Sequence, residues 1–206
     1  MMISVTGLFD NYSDAKGAVD KLVQAGVAHD DISLIAGNAD GSYENQDSDA
    51  AGAAGTGAGI GALVGGAGGL LTGLGVMAIP GVGPVVAAGW LAATAAGAAA
   101  GALAGSAAGG LIGALTDSGV PTEDAHVYAE GVRRGGTLVT ARVTEGAEED
   151  TARSILQNSN WVDLRQRRAA YADEGWSAFD EAADSYSPRE IEEERRRNAA
   201  RIPPVV

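Results

Sequence analysis

Gly57-Ala58-Gly59-Ile60-Gly61-Ala62-Leu63-Val64-Gly65-Gly66-Ala67-Gly68-Gly69 carries a glycine at every fourth position, and Gly73 extends the series. Beyond an interruption at Ile79-Pro80-Gly81-Val82-Gly83-Pro84, Gly97, Gly101, Gly105, Gly109 and Gly113 repeat the step. A four-residue step keeps the glycines on one slowly drifting stripe of a helix with about 3.6 residues per turn. Without Cβ atoms along that stripe a second backbone can approach closely, so these ten glycines read as helix-packing surface. The sequence predicts two zipper helices facing each other across a turn, one over about 57–78 and one over about 85–116.

The environment of these helices follows from their composition. No charged residue occurs from Ala50 to Thr116, in a chain of formal net charge −13. Each glycine costs an isolated helix up to about 1 kcal/mol relative to Ala, so lipid or a packed partner must offset the loss. The first run is about 33 Å long at ~1.5 Å per residue, near the ~30 Å hydrocarbon thickness. A membrane hairpin is the first expectation. The alternative is a protein core shared by copies of a soluble homo-oligomer, since a helix apolar all round must be buried somewhere. Gly57-Ala58-Gly59-Ile60-Gly61 and Gly73-Leu74-Gly75 do not complete a dinucleotide-binding fingerprint, and no Walker lysine is present, so no cofactor is expected.

The flanks read as an α/β unit. Ile3, Val5 and Phe9 alternate with Ser4, Thr6 and Leu8 as in a strand. Asp10 to Ser13 offers turn and N-cap chemistry, Ala15, Ala18, Val19, Leu22 and Val23 form one helical face, and Gly26 stands at the C′ position. Asp31 to Ala36 is a second strand. After the insertion, Pro121 precedes a short helix marked by Ala125, Val127, Tyr128 and Val132 and ended by Gly135-Gly136. Thr137 to Val143 is a third strand, Ala152, Ile155 and Leu156 mark a helix, and Trp161, Val162 and Leu164 read as a fourth strand. Two strand–helix–strand units in tandem predict a ferredoxin-like split βαβ sandwich of the α+β class, with a four-stranded antiparallel sheet and helices on one face. The boundaries are 1–37 for the first half, 38–49 for an acidic linker, 50–117 for the zipper hairpin, 118–168 for the helix and second half, and 169–206 for a polar tail. Both halves share one sheet and so lie on one side of any membrane, which a two-helix hairpin satisfies. Removing 50–116 is then expected to leave a folded domain.

In the tail, Ser187-Pro188-Arg189-Glu190 is a capping box, and Glu192–Arg196 and Glu193–Arg197 are spaced for i,i+4 pairing. A solvated helix is expected there, while Trp176, Phe179 and Tyr186 could instead lie over a neighbouring subunit.

The chemistry-bearing residues assign no reaction. The chain contains no cysteine, which removes disulfides and thiol catalysis. His29 and His126 fall on different elements, the linker acids lack calcium-loop spacing, and no carboxylate pair is placed for acid–base work. Neither a catalytic residue nor a metal ligand is expected. A pI near 4.4 disfavours nucleic acid as a partner, since Arg165, Arg167 and Arg168 make only a local cluster. The first residues lack a secretory signal pattern, so the expected site is the cytoplasmic membrane, with the α/β domain in the cytoplasm, or else the cytoplasm. Arg133-Arg134 and the 165–168 cluster are consistent with that orientation.

Val5-Thr6-Gly7-Leu8-Phe9-Asp10, Ala18-Val19-Asp20-Lys21-Leu22 with Asp30-Asp31-Ile32-Ser33-Leu34-Ile35, and Gly119-Val120-Pro121-Thr122-Glu123-Asp124-Ala125 with Tyr128, Gly131 and Arg134-Gly135-Gly136-Thr137-Leu138-Val139-Thr140 together resemble the bacterial general stress proteins of the YflT (17M-like) type. The resemblance covers residues 1–36 and about 118–165. It implies a small α/β domain interrupted by a glycine-rich hairpin and a stress-response role, and it brings no catalytic residues. The expected function is a non-enzymatic stress protein that associates with itself, and with membrane lipid, through the zipper helices.

Overall fold

The structure, a computed structural model, describes residues 1–39, 75–101 and 110–201. Gly57, Gly61, Gly65, Gly69, Gly73, Gly105 and Gly109 lie outside the described residues, as does the linker beyond residue 39.

Strands β1 (Met2–Phe9), β2 (Ile32–Gly37) and β5 (Thr137–Thr144) form where alternation indicated them. β5 lies between β1 and β2 and is antiparallel to both, with Val5 opposite Ala141 and Leu34 opposite Val139. The crossover between the parallel β1 and β2 is α1 (Tyr12–Gln24). The Asn11 side chain caps α1 by accepting the Asp14 N–H at 2.8 Å, and Gly26, at φ +97°, ends it. The two halves of the α/β unit therefore share one sheet, as the tandem pattern indicated.

The remaining strands correct the expected architecture. The sheet has five strands in the order β1-β5-β2-β4-β3. β3 (Gly75–Ile79) and β4 (Gly83–Ala88) come from residues expected to end one zipper helix and begin the other. The Val82 N–H donates to the Ile79 carbonyl at 3.0 Å, and Gly81 has φ +72°. Pro80 and Gly81 thus take the second and third places of a type II turn, whose third residue requires positive φ. β4 pairs antiparallel with β2, Leu34 opposite Ala88. A turn does stand at 79–84, but it joins strands of the common sheet. Among the described residues, 75–79 and 83–88 are therefore strands of the sheet and not the ends of two facing helices.

The fourth expected strand, at Trp161–Leu164, does not form. It reaches the β1 edge through one backbone bond, the Val162 N–H to the Leu8 carbonyl at 2.7 Å. Asp163 Oδ1 then accepts from the N–H groups of Arg165 and Gln166 at 2.9 and 3.0 Å. That N-cap starts a helix where a ladder would have to continue.

Helices cover both faces of the sheet, not one. Val5, Phe9, Leu34 and Val139 face a core closed by α1 and α5 (Ala147–Gln157). Leu8, Ile35 and Leu138 face a second core closed by α2 (Trp90–Gly101), α3 (Gly110–Asp117) and α4 (Thr122–Arg133). Double coverage explains why β2 is buried along its whole length. Polar side chains on the second face pair with one another or with the backbone: Thr6 and Thr140 hydroxyls lie 3.2 Å apart, and the Tyr128 hydroxyl donates to the Thr6 carbonyl at 3.1 Å.

Candidate functional site

The tail, expected to be solvated, is folded onto the domain. α6 (Leu164–Asp173) and α7 (Pro188–Arg201), with the strap between them, lie over the end of α4 and the β3–β4 turn, and Tyr171, Phe179 and Ile191 are buried. The capping box forms as its spacing indicated. The Ser187 hydroxyl and N–H donate to Glu190 Oε2 at 2.6 and 2.8 Å, and together they hold the Glu190 carboxyl below the usual carboxylate range. Glu192 pairs with Arg196 at 3.2 Å, whereas Glu193 takes Arg189 and Arg197 turns inward to Glu194.

The docked tail closes an ionic cluster around Arg134. Its Nε donates to Glu130 Oε1 at 2.6 Å, its Nη1 donates to Glu174 Oε2 at 2.6 Å, and Glu194 Oε2 lies 3.5 Å from the same Nη1. The guanidinium stacks 4.1 Å over the Tyr171 ring. Glu130 and Glu194 are both essentially inaccessible to solvent. Burial alone would lower the Arg134 pKa; the bonds to Glu130 and Glu174 outweigh it and raise it, so the side chain stays charged. Burial likewise pushes the Tyr171 phenol up to about 12, against the lowering fields of Arg167 and Arg134.

Four of the basic residues flanking the insertion pair with carboxylates of the domain. Arg133 and Arg134 hold Glu130, Arg167 chelates Asp10 at 2.7 and 3.0 Å, and Arg168 pairs with Asp124 at 2.5 Å. A cleft of about 850 Å³ beside α4 is lined by His126, Glu123, Arg168 and Trp176. His126 Nδ1 accepts the Phe179 N–H at 3.2 Å. The ionisable groups of this region thus position the tail. Among the described residues no group of three or more His, Asp or Glu is placed to hold a metal ion.

Of the ten zipper glycines, Gly97 and Gly101 lie on α2 and Gly113 is buried in α3, and these two helices pack against each other. The sequence reading did not single out Glu130, Glu174 or Glu194, and it took Arg134 only as a flanking cation. The available signal was the i,i+4 spacing of Glu130 and Arg134 across the end of α4, together with three aromatic residues in an acidic tail. Replacing Arg134 by Ala should lower the unfolding free energy by about 2 kcal/mol. That is below the 3–5 kcal/mol of a sealed pair, because the strap can move and let water reach Glu194. Denaturant midpoints measure it; a loss under about 0.5 kcal/mol would show that the cluster adds nothing to stability.

No family model, curated protein or solved structure matches this chain.

Proposed function

We propose that this is a non-enzymatic association protein: an α+β platform that joins copies of itself through its uncharged Gly/Ala segment. The observation that carries this reading is α2. Its sequence, Trp90 to Gly101, has no charged residue, and its described exposed positions are Ala93 and Thr94, whereas α1, α5 and α7 carry acidic and basic residues. A helix with no polar face needs a partner on the side its own chain leaves open. The resemblance to general stress proteins supports a stress-response setting for such assembly. Among the described residues no helix is long and apolar enough to cross a membrane. Attachment to lipid is the second reading, favoured by the absence of charge from Ala50 to Thr116.

Replacing Gly65 and Gly105 by Leu keeps both segments apolar but blocks close backbone approach. Sedimentation velocity should show the parent assembling and the double variant at least about tenfold weaker, a change of ~1.4 kcal/mol. Unchanged assembly would remove the glycines from the interface. Flotation with vesicles separates the two readings, because a lipid-attached chain keeps floating after its self-association is lost.

A further inference from the structure

We infer that the C-terminal strap, residues 174–187 with α7, is a displaceable latch on the β3–β4 turn, and that its release promotes self-association. The inference rests on the association reading above. The seat of the strap is built from glycines. A Cβ on Gly81 would stand 2.6 Å from the Glu181 Cα, and one on Gly83 would stand 2.6 Å from the Ser185 Cβ. Gly135, at φ +88°, meets Ile191 just as closely. The strap therefore lies directly on the backbone of the turn between β3 and β4, and β4 leads into the uncharged helix α2.

Much of what holds the strap is polar. Its large buried apolar anchors are Phe179 and Ile191; beside them stand the ionic set of Glu174 and Glu194 on Arg134, the Phe179 N–H on His126 Nδ1, the Asn198 amide on Asp10, and Arg133 over the Phe179 and Tyr186 rings. Buried ion pairs roughly cancel their own desolvation, so they give register more than adhesion. The set is also incompletely satisfied, since Glu194 Oε1 is buried with no hydrogen-bond partner among the described residues. A buried acceptor left unmade favours the opened state, in which water can reach it. None of the ladder pairs of the sheet involves the strap. The strap can therefore leave while the sheet stays folded, and its departure takes Phe179 out of the core that it shares with Ile79 and Val82.

Two full-length variants test this, Glu174→Gln/Glu194→Gln and, should that one fail to fold, Ile191→Ala, which weakens only the anchor of α7. Trypsin cleavage at Arg195–Arg197 reports the latch, and sedimentation velocity reports assembly. The expected result is cleavage about tenfold faster with cooperative melting retained, and assembly at about tenfold lower protein concentration. Unchanged cleavage overturns the latch. Faster cleavage with an unchanged assembly concentration overturns its control of association. The association reading fails on a different result, parent-like assembly of the Gly65→Leu/Gly105→Leu chain, so the two failures are told apart.

Discussion

A chain lacking residues 50–116, with its ends rejoined, is expected to lose cooperative unfolding altogether. A zipper appended to a complete domain would make that deletion harmless, but the segment supplies β3, β4, α2 and nearly all of α3. With it go Ile79, Val82, Val85, Val86, Leu91, Leu111, Ile112 and Leu115, all buried. Each such side chain contributes about 1.5–3 kcal/mol by leaving water, so together they are at least comparable with the 5–15 kcal/mol of a typical net stability. The remaining chain would expose Ile35 and Leu138, and β2 would lose the partners it has along Leu34–Gly37. Calorimetry of the deleted chain should show no sharp transition. A cooperative melt near that of the parent would mean that the α1 and α5 side of the sheet suffices by itself.

Gly89→Ala should be among the most damaging single substitutions, at about 3 kcal/mol. Two costs combine there. Gly89 has φ +89°, which costs an L side chain about 1–2 kcal/mol. A Cβ at this position would also stand 2.7 Å from the Ser33 Cα, in backbone that cannot yield because β2 is held on both sides by β4 and β5. Overpacking of that kind adds about 1–3 kcal/mol. The Ser33 hydroxyl ties the same corner by donating to the Ala88 carbonyl at 2.8 Å. Chemical denaturation measures the loss. A change below about 1 kcal/mol would show that the corner between β4 and α2 can relax away from β2. Gly89 is not one of the four-spaced glycines, and its requirement for glycine comes from tertiary contact alone.

Features held by neighbours in sequence were legible in it. The Asn11 cap, the Gly26 stop, the Ser187–Glu190 box and the strands β1, β2 and β5 each depend on a few adjacent residues, and each stands where the sequence indicated. The split pairing of β1, β5 and β2 followed because a strand–helix–strand unit with a third strand between its parallel strands has few alternatives. Tertiary structure alone decided the rest. Residues 75–88 lie in a Gly/Ala-rich run whose small apolar residues show neither a period of 3.6 nor one of 2, so only the free edge of β2 made strands of them. Trp161–Leu164 had strand residues but met β1 with a single bond before Asp163 began α6. The tail shows almost no apolar pattern because its docking rests on Arg134 meeting Glu174 and Glu194, partners that are distant along the chain and adjacent only after the sheet has formed.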